Sequence, residues 1–167
     1  MRILLVKMNS VADEIIPPIS LGYLAETVKK THFVKIIDCL KEDKNDNDVA
    51  EISKDFDIVG ITLFTKDLSL CKKYFSKVKE TNPQIVTIAG GPHPSAVPYE
   101  TMKFLGNLCD FIFVGESELS FPKLISYLEH KTPSLEEIEG LGYYNNGDIK
   151  LNKAIYTEDI DRFKVAW

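Results

Sequence analysis

At 167 residues the chain has the length of one domain, with room for a sizeable core. Its composition, 44% hydrophobic and 27% charged, is that of a folded globular protein and excludes disorder. The formal charge of −5 argues against a general nucleic-acid binder, which would need a basic face, and no apolar run approaches the roughly 20 residues that cross a bilayer.

The start, Met1-Arg-Ile-Leu-Leu-Val-Lys7, is too short for a signal peptide, lacks a small-residue cleavage site and reads as a first strand. Pro17 and Pro18 keep the following chain extended, because proline disfavours helix in the residue before it. A helix is expected over residues 20–30, where Leu21, Leu24, Ala25 and Val28 share one face. Residues 33–38 form the second strand. The acidic run from Asp43 to Asp48 fails as a calcium loop, since Asp48 stands where glycine is needed and Lys54 where a bidentate Glu belongs. Asp48 with Glu51 resembles a capping box for a short helix that buries Val49, Ile52 and Phe56.

Residues 57–64 make the third strand, and residues 65–80 a helix with Leu68, Cys71, Phe75 and Val78 inward, stopped at Asn82-Pro83. Ile85, Val86, Ile88 and Ala89 are apolar on both faces, as in a central parallel strand, and end at Gly90-Gly91. Two residues without Cβ let something flat lie against the backbone, and Pro92 and Pro94 stiffen the exit around His93. A helix from Pro98, a fifth strand over 110–114 and a last helix with Phe121, Leu124, Ile125 and Leu128 on one side follow. Glu116 and Glu118 suit the positive end of that last helix. Residues 141–151 read as a hairpin turned by Asn146-Gly147, and residues 156–167 as a connector.

The βαβαβαβαβα order predicts an α/β fold, a flavodoxin-like (Rossmann-like), doubly wound, five-stranded parallel sheet with strand order 2-1-3-4-5 and a C-terminal β-hairpin. Domain limits of 1–132 for the sheet and 133–167 for hairpin and linker follow. Ligands of such sheets sit beyond the carboxyl ends of the strands, at the switch point between strands 1 and 3.

Several sites are excluded. There is no Gly-x-Gly-x-x-Gly after strand 1 and no Gly-Lys-Ser/Thr phosphate loop. Ser117 half-resembles a nucleophile elbow, but Leu119 replaces the closing glycine. Cys39, Cys71 and Cys109 have neither zinc nor redox spacing and read as reduced, partly buried thiols of a cytoplasmic protein. His93 has no partner at ligand spacing and is expected to hydrogen-bond rather than to bind metal, while His32 and His130 are expected at the surface.

The combined pattern resembles the N-terminal cobalamin-binding domain of B12-dependent radical SAM enzymes. The matching pieces include Pro17-Pro-Ile-Ser-Leu-Gly-Tyr-Leu-Ala25, Asp57-Ile-Val-Gly-Ile-Thr62, Ala89-Gly-Gly-Pro-His-Pro-Ser95 and Asp110-Phe-Ile-Phe-Val-Gly-Glu-Ser-Glu118, with Gly140-Leu-Gly-Tyr-Tyr-Asn-Asn-Gly147 behind them. The family usually has Gly-Glu-Gly-Glu where this chain has Ser117, and the Cys-x-x-x-Cys-x-x-Cys of the cluster-binding domain is absent.

The resemblance implies a non-catalytic cofactor-binding module that holds cobalamin, partnered by a C-terminal radical SAM domain of a methyltransferase or cyclase. In the parent enzyme that partner would carry a [4Fe-4S] cluster and S-adenosylmethionine. It implies cofactor contacts from Asn9, Ser20 and Leu21, from Thr62, Phe64 and Thr65, from the run Gly90, Gly91, Pro92, His93, Pro94 and Ser95, and from Gly115 and Glu116. Hydroxyls suit the neutral amides of the corrin rim. Cobalamin domains of the methionine-synthase type carry Asp-x-His-x-x-Gly after strand 1, whereas residues 9–19 here hold no His. That comparison implies base-off cobalamin with no protein His on the cobalt. An FMN-binding flavodoxin-like protein and a ligand-free interaction domain are the alternatives.

Overall fold

The structure is a computed structural model that describes residues 1–10 and 16–156. Strands β1 (Arg2–Lys7), β2 (Phe33–Asp38), β3 (Ile58–Thr62), β4 (Val86–Gly90) and β5 (Phe111–Phe113) run parallel. β6 (Leu141–Asn145) pairs antiparallel with β5, and β7 (Asp148–Leu151) pairs antiparallel with β6. The sheet order is β2-β1-β3-β4-β5-β6-β7, which is the expected doubly wound arrangement with the hairpin added at its β5 edge.

The helices are α1 (Ile19–Val28), α2 (Asp46–Ser53), α3 (Leu68–Thr81), α4 (Pro92–Ala96), α5 (Pro98–Leu105) and α6 (Phe121–His130). β1 shows why both sheet faces are covered. Ile3 and Leu5 point into one core, Leu4 and Val6 into the other, and all four are fully buried. Each such side chain contributes about 1.5–3 kcal/mol when removed from water. α1 and α6 close the Leu5 face with Leu21, Ala25, Phe121 and Leu124. α2, α3 and α5 close the other with Val49, Phe75, Val78 and Met102.

Five local features differ from the sequence reading. The capping residue of α2 is Asn45, whose side chain accepts from the N–H groups of Asn47 and Asp48 while Asp48 accepts from the Asn45 N–H. Glu51 has no part in it, because the run Asp46-Asn47-Asp48 already suits a first helical turn. The helix expected over 65–80 opens as a separate 3-10 turn, Thr65–Asp67. The exit from β4 is not a loop but the helical turn α4, started by Pro92, whose fixed φ fits that position.

α6 begins only at Phe121, and the Ser117 carbonyl accepts from Ser120 and Phe121 N–H, so Glu116 and Glu118 precede the helix rather than cap it. His32 is part-buried rather than a surface residue, its Nδ1 3.1 Å from the Met1 amino group. The hairpin turn forms at Asn146 and Gly147, both with positive φ. β6 is stitched to β5 and to α5, where the Tyr144 hydroxyl donates to the Met102 carbonyl at 2.9 Å. The sheet therefore continues past residue 132 without a break. Residues 157–167, most of the expected connector, lie outside the described residues.

Candidate functional site

The strand order reverses between β1 and β3, and a cleft opens there at the carboxyl ends. Leu5, Gly60 and Ile88 stand in register across β1, β3 and β4 and form its floor. Ser20, Leu21 and Leu24 of α1 wall one side and Phe121 of α6 the other, enclosing about 170 Å³. A second hollow of about 350 Å³ lies between the chain entering α1 and the chain leaving β3, lined by Ile16, Pro17, Ile19 and Phe64. Ser20 and Thr62 border both, so the two spaces adjoin.

The glycines do different work. A Cβ on Gly60 would lie 2.9 Å from Leu5 Cδ2, so glycine here keeps the floor low. A Cβ on Gly90 would find only Phe113 Cβ, at 3.9 Å, and would otherwise project into the cleft. Gly91 has φ +104, and a Cβ there would meet Thr62 Oγ1 at 3.1 Å and Leu63 backbone N at 3.2 Å. Its glycine serves the turn, whose geometry is fixed by Leu63 N–H donating to the Gly90 carbonyl and His93 N–H donating to the Leu63 carbonyl.

Behind this lining stands a frame. Ser95 Oγ donates to the Gly91 carbonyl at 2.9 Å and accepts from Gly115 N–H at 3.0 Å, tying the exits of β4 and β5 together. His93 is buried, with Nδ1 3.1 Å from Thr65 Oγ1 and Nε2 sealed without a partner among the described residues. Asn9 Oδ1 accepts from the Tyr74 hydroxyl at 2.7 Å, which engages that side chain with α3. Thus Ser20, Leu21, Thr62, Phe64, Gly90, Gly91, Gly115 and Glu116 line the two spaces, whereas Asn9, Thr65, Pro92, His93, Pro94 and Ser95 do not.

Among the lining residues that sequence reasoning missed, Gly60, Lys7 and Asp67 are the most informative. Gly60 had a legible signal, a lone glycine inside a β-branched run. Lys7 at the end of β1 donates to the Ile16 carbonyl at 2.9 Å and to Asp38 Oδ2 at 3.2 Å, tying the end of β1 to the chain entering α1 and to the end of β2. Asp67, 5% exposed, lines the larger hollow and accepts from the buried Ser10 hydroxyl.

A comparison with protein families matches the B12 binding domain over residues 6–125, most of the chain. The chain belongs to the B12-binding domain family. This B12-binding domain is 39% identical over 136 residues to the uncharacterized methyltransferase PH0819 of Pyrococcus horikoshii, covering 80% of the chain and 29% of that protein. It is 28% identical over 159 residues to the anaerobic magnesium-protoporphyrin IX monomethyl ester cyclase of Rubrivivax gelatinosus, covering 90% of the chain and 28% of that protein.

Among solved structures its fold matches the cobalamin-dependent S-adenosylmethionine radical enzyme OxsB with aqua-cobalamin and S-adenosylmethionine bound (TM-score 0.79, 21% identity, 93% of this chain and 22% of that one). It also matches the radical S-adenosylmethionine methyltransferase TsrM of Kitasatospora setae with cobalamin and a [4Fe-4S] cluster bound (TM-score 0.77, 16% identity, 100% of this chain and 32% of that one). The chain spans less than a third of the length of each of these relatives.

The family's cofactor is cobalamin, and the residues present fit it. The B12-binding domain offers a glycine-floored slot beside an apolar hollow, with the Ser20 and Thr62 hydroxyls at their junction. Among the described residues no helix is long and apolar enough to cross a membrane.

Proposed function

We propose that this chain is the cobalamin-binding module of a larger B12-dependent radical SAM enzyme of the methyltransferase or cyclase type. The observation that carries this reading is the continuity of the slot over Leu5, Gly60 and Ile88 with the hollow beside Phe64. A disc with a long tail needs that shape, a broad seat at the strand ends and a narrow run down one sheet face.

On this reading the nucleotide tail lies between α1 and α6 and the corrin spans the loops after β1, β3 and β4. Ser20 and Thr62 face the junction and would pair with rim amides. Ser95, His93 and Thr65 hold the loop exits in place. A tail seated between α1 and α6 would carry its base away from the cobalt, and with no His in residues 9–19 and His93 sealed beside Thr65 no protein imidazole would take its place. Bound cobalamin supplies the methyl-transfer or radical-assisting chemistry, and the protein supplies orientation. The radical SAM domain that would complete the enzyme carries the [4Fe-4S] cluster and S-adenosylmethionine.

The test is electron paramagnetic resonance of the protein loaded with cob(II)alamin. A base-off spectrum without nitrogen superhyperfine splitting supports the assignment. Triplet splitting from an axial nitrogen would overturn it.

A further inference from the structure

Asp67 carries an inference that rests on the cobalamin reading and goes beyond it. The residue ends the 3-10 turn after β3, lines the hollow of about 350 Å³ and is 5% exposed. One carboxylate oxygen, Oδ1, accepts from the buried Ser10 hydroxyl. The other has no hydrogen-bond partner among the described residues, and the sealed, unpartnered polar atoms are those of Asp46 and His93, not this one. Oδ2 is therefore not sealed, on a residue that lines the hollow. The carboxylate sits at the start of α3 without a capping bond there. Lys7, the cation in the same lining, is committed to Asp38 and the Ile16 carbonyl. The rest of the lining is largely apolar.

A buried carboxylate with a spare oxygen facing an apolar hollow calls for an N–H donor from whatever fills that hollow. We infer that Asp67 is a specificity-determining acceptor, receiving an N–H of one peripheral carboxamide of the corrinoid. Such a residue distinguishes an amide from the corresponding acid. A corrinoid with that carboxamide hydrolysed would present a carboxylate to a carboxylate, with no water between them to screen the repulsion.

The experiment titrates the protein with hydroxocobalamin and with each of its purified peripheral monocarboxylic acids at neutral pH, following corrin absorbance. Wild type is expected to bind one acid isomer at least tenfold more weakly than hydroxocobalamin. Asp67→Asn, which keeps the acceptor for Ser10, is expected to shrink that gap to threefold or less for the same isomer and to leave the other isomers unchanged. Asp67→Ser gives the same readout if the Asn variant does not fold. Ser10→Ala removes the internal hydrogen bond but keeps the charge, and is expected to retain the wild-type gap. Equal gaps in wild type and Asp67→Asn for every isomer would overturn the assignment, as would loss of the gap in Ser10→Ala. Wild type that ignores hydroxocobalamin altogether would instead bring down the cobalamin reading itself.

Discussion

A Cβ on Gly60 would stand 2.9 Å from Cδ2 of Leu5, so these residues of neighbouring strands share one side chain's depth in the cleft floor. The Leu5 terminus can rotate, and the free direction is the cleft itself. Gly60→Val is therefore expected to fold with its secondary structure intact, at a cost of about 1–3 kcal/mol from overpacking. Cobalamin affinity should fall by a factor of ten or more. Circular dichroism, a thermal melt and an absorbance titration check both halves.

Ser95 fastens two loop exits with a single hydroxyl. Ser95→Ala leaves the Gly115 N–H without its partner, and the loss of a part-buried hydrogen bond costs about 1–3 kcal/mol. The rim that presents Glu116 then loosens. Expected outcomes are a lower melting temperature and cobalamin binding weakened several-fold, chiefly through faster release in stopped-flow displacement.

The three cysteines set an alkaline limit on stability. Burial pushes the Cys39 thiol up to about 11 and the Cys109 thiol up to about 12, and raises Cys71 well above its ordinary value. Burial likewise raises the Tyr74 hydroxyl. An unfolded chain ionises its thiols near pH 8.5, roughly the free-cysteine value, so above that pH the unfolded state binds fewer protons than the folded one. Thiol-linked stability is fully present below about pH 8.5 and declines as pH rises toward 11 and 12. Urea midpoints measured across that window should fall steadily. A disulfide-exchange reagent at pH 8 should label no cysteine in the native protein and all three in denaturant.

Gly140 joins the hairpin to the sheet. It has φ +66, and a Cβ there would lie 2.3 Å from the Val114 carbonyl oxygen, a backbone atom that cannot swing aside. Val114 N–H donates to the Gly140 carbonyl at 2.8 Å in the same place. Gly140→Ala is expected to destabilise the protein by roughly 3 kcal/mol or more, as strained-backbone substitutions do. Gly106→Ala, with positive φ but open space around its Cβ, should cost less. Chemical denaturation of the two variants side by side measures the difference.

The parallel core was legible because its strands are buried on both faces. Runs such as Ile3-Leu4-Leu5-Val6 allow few other readings, and the limits expected for α1 lie within two residues of those observed, whereas the starts of α3 and α6 lie further along the chain than expected. The hairpin was equally plain from Asn146-Gly147, but its seat on the β5 edge was not, since that pairing depends on Gly140 and Val114 meeting across the fold.

Residues that line the cleft through backbone or hydroxyl groups could be picked out from sequence, as Gly90, Ser20 and Thr62 were. Burial was harder to read: His93 was named as a cofactor contact rather than as part of the buried frame. Asp67 looked like an ordinary polar position within a helix until the fold placed it against Ser10. Asn9 looked available until Tyr74, a polar residue inside α3, was found buried and donating to it.

The central claim is that the glycine-floored slot and its adjoining hollow hold cobalamin. The most direct measurement mixes the purified protein with hydroxocobalamin, or separately with FMN, passes each through a desalting column and records the absorbance of the protein fraction. Retention of corrin absorbance near one equivalent, with no retained flavin and with the corrin lost in Gly60→Val, is the expected result. A protein fraction that carries flavin, or neither cofactor, would contradict the account.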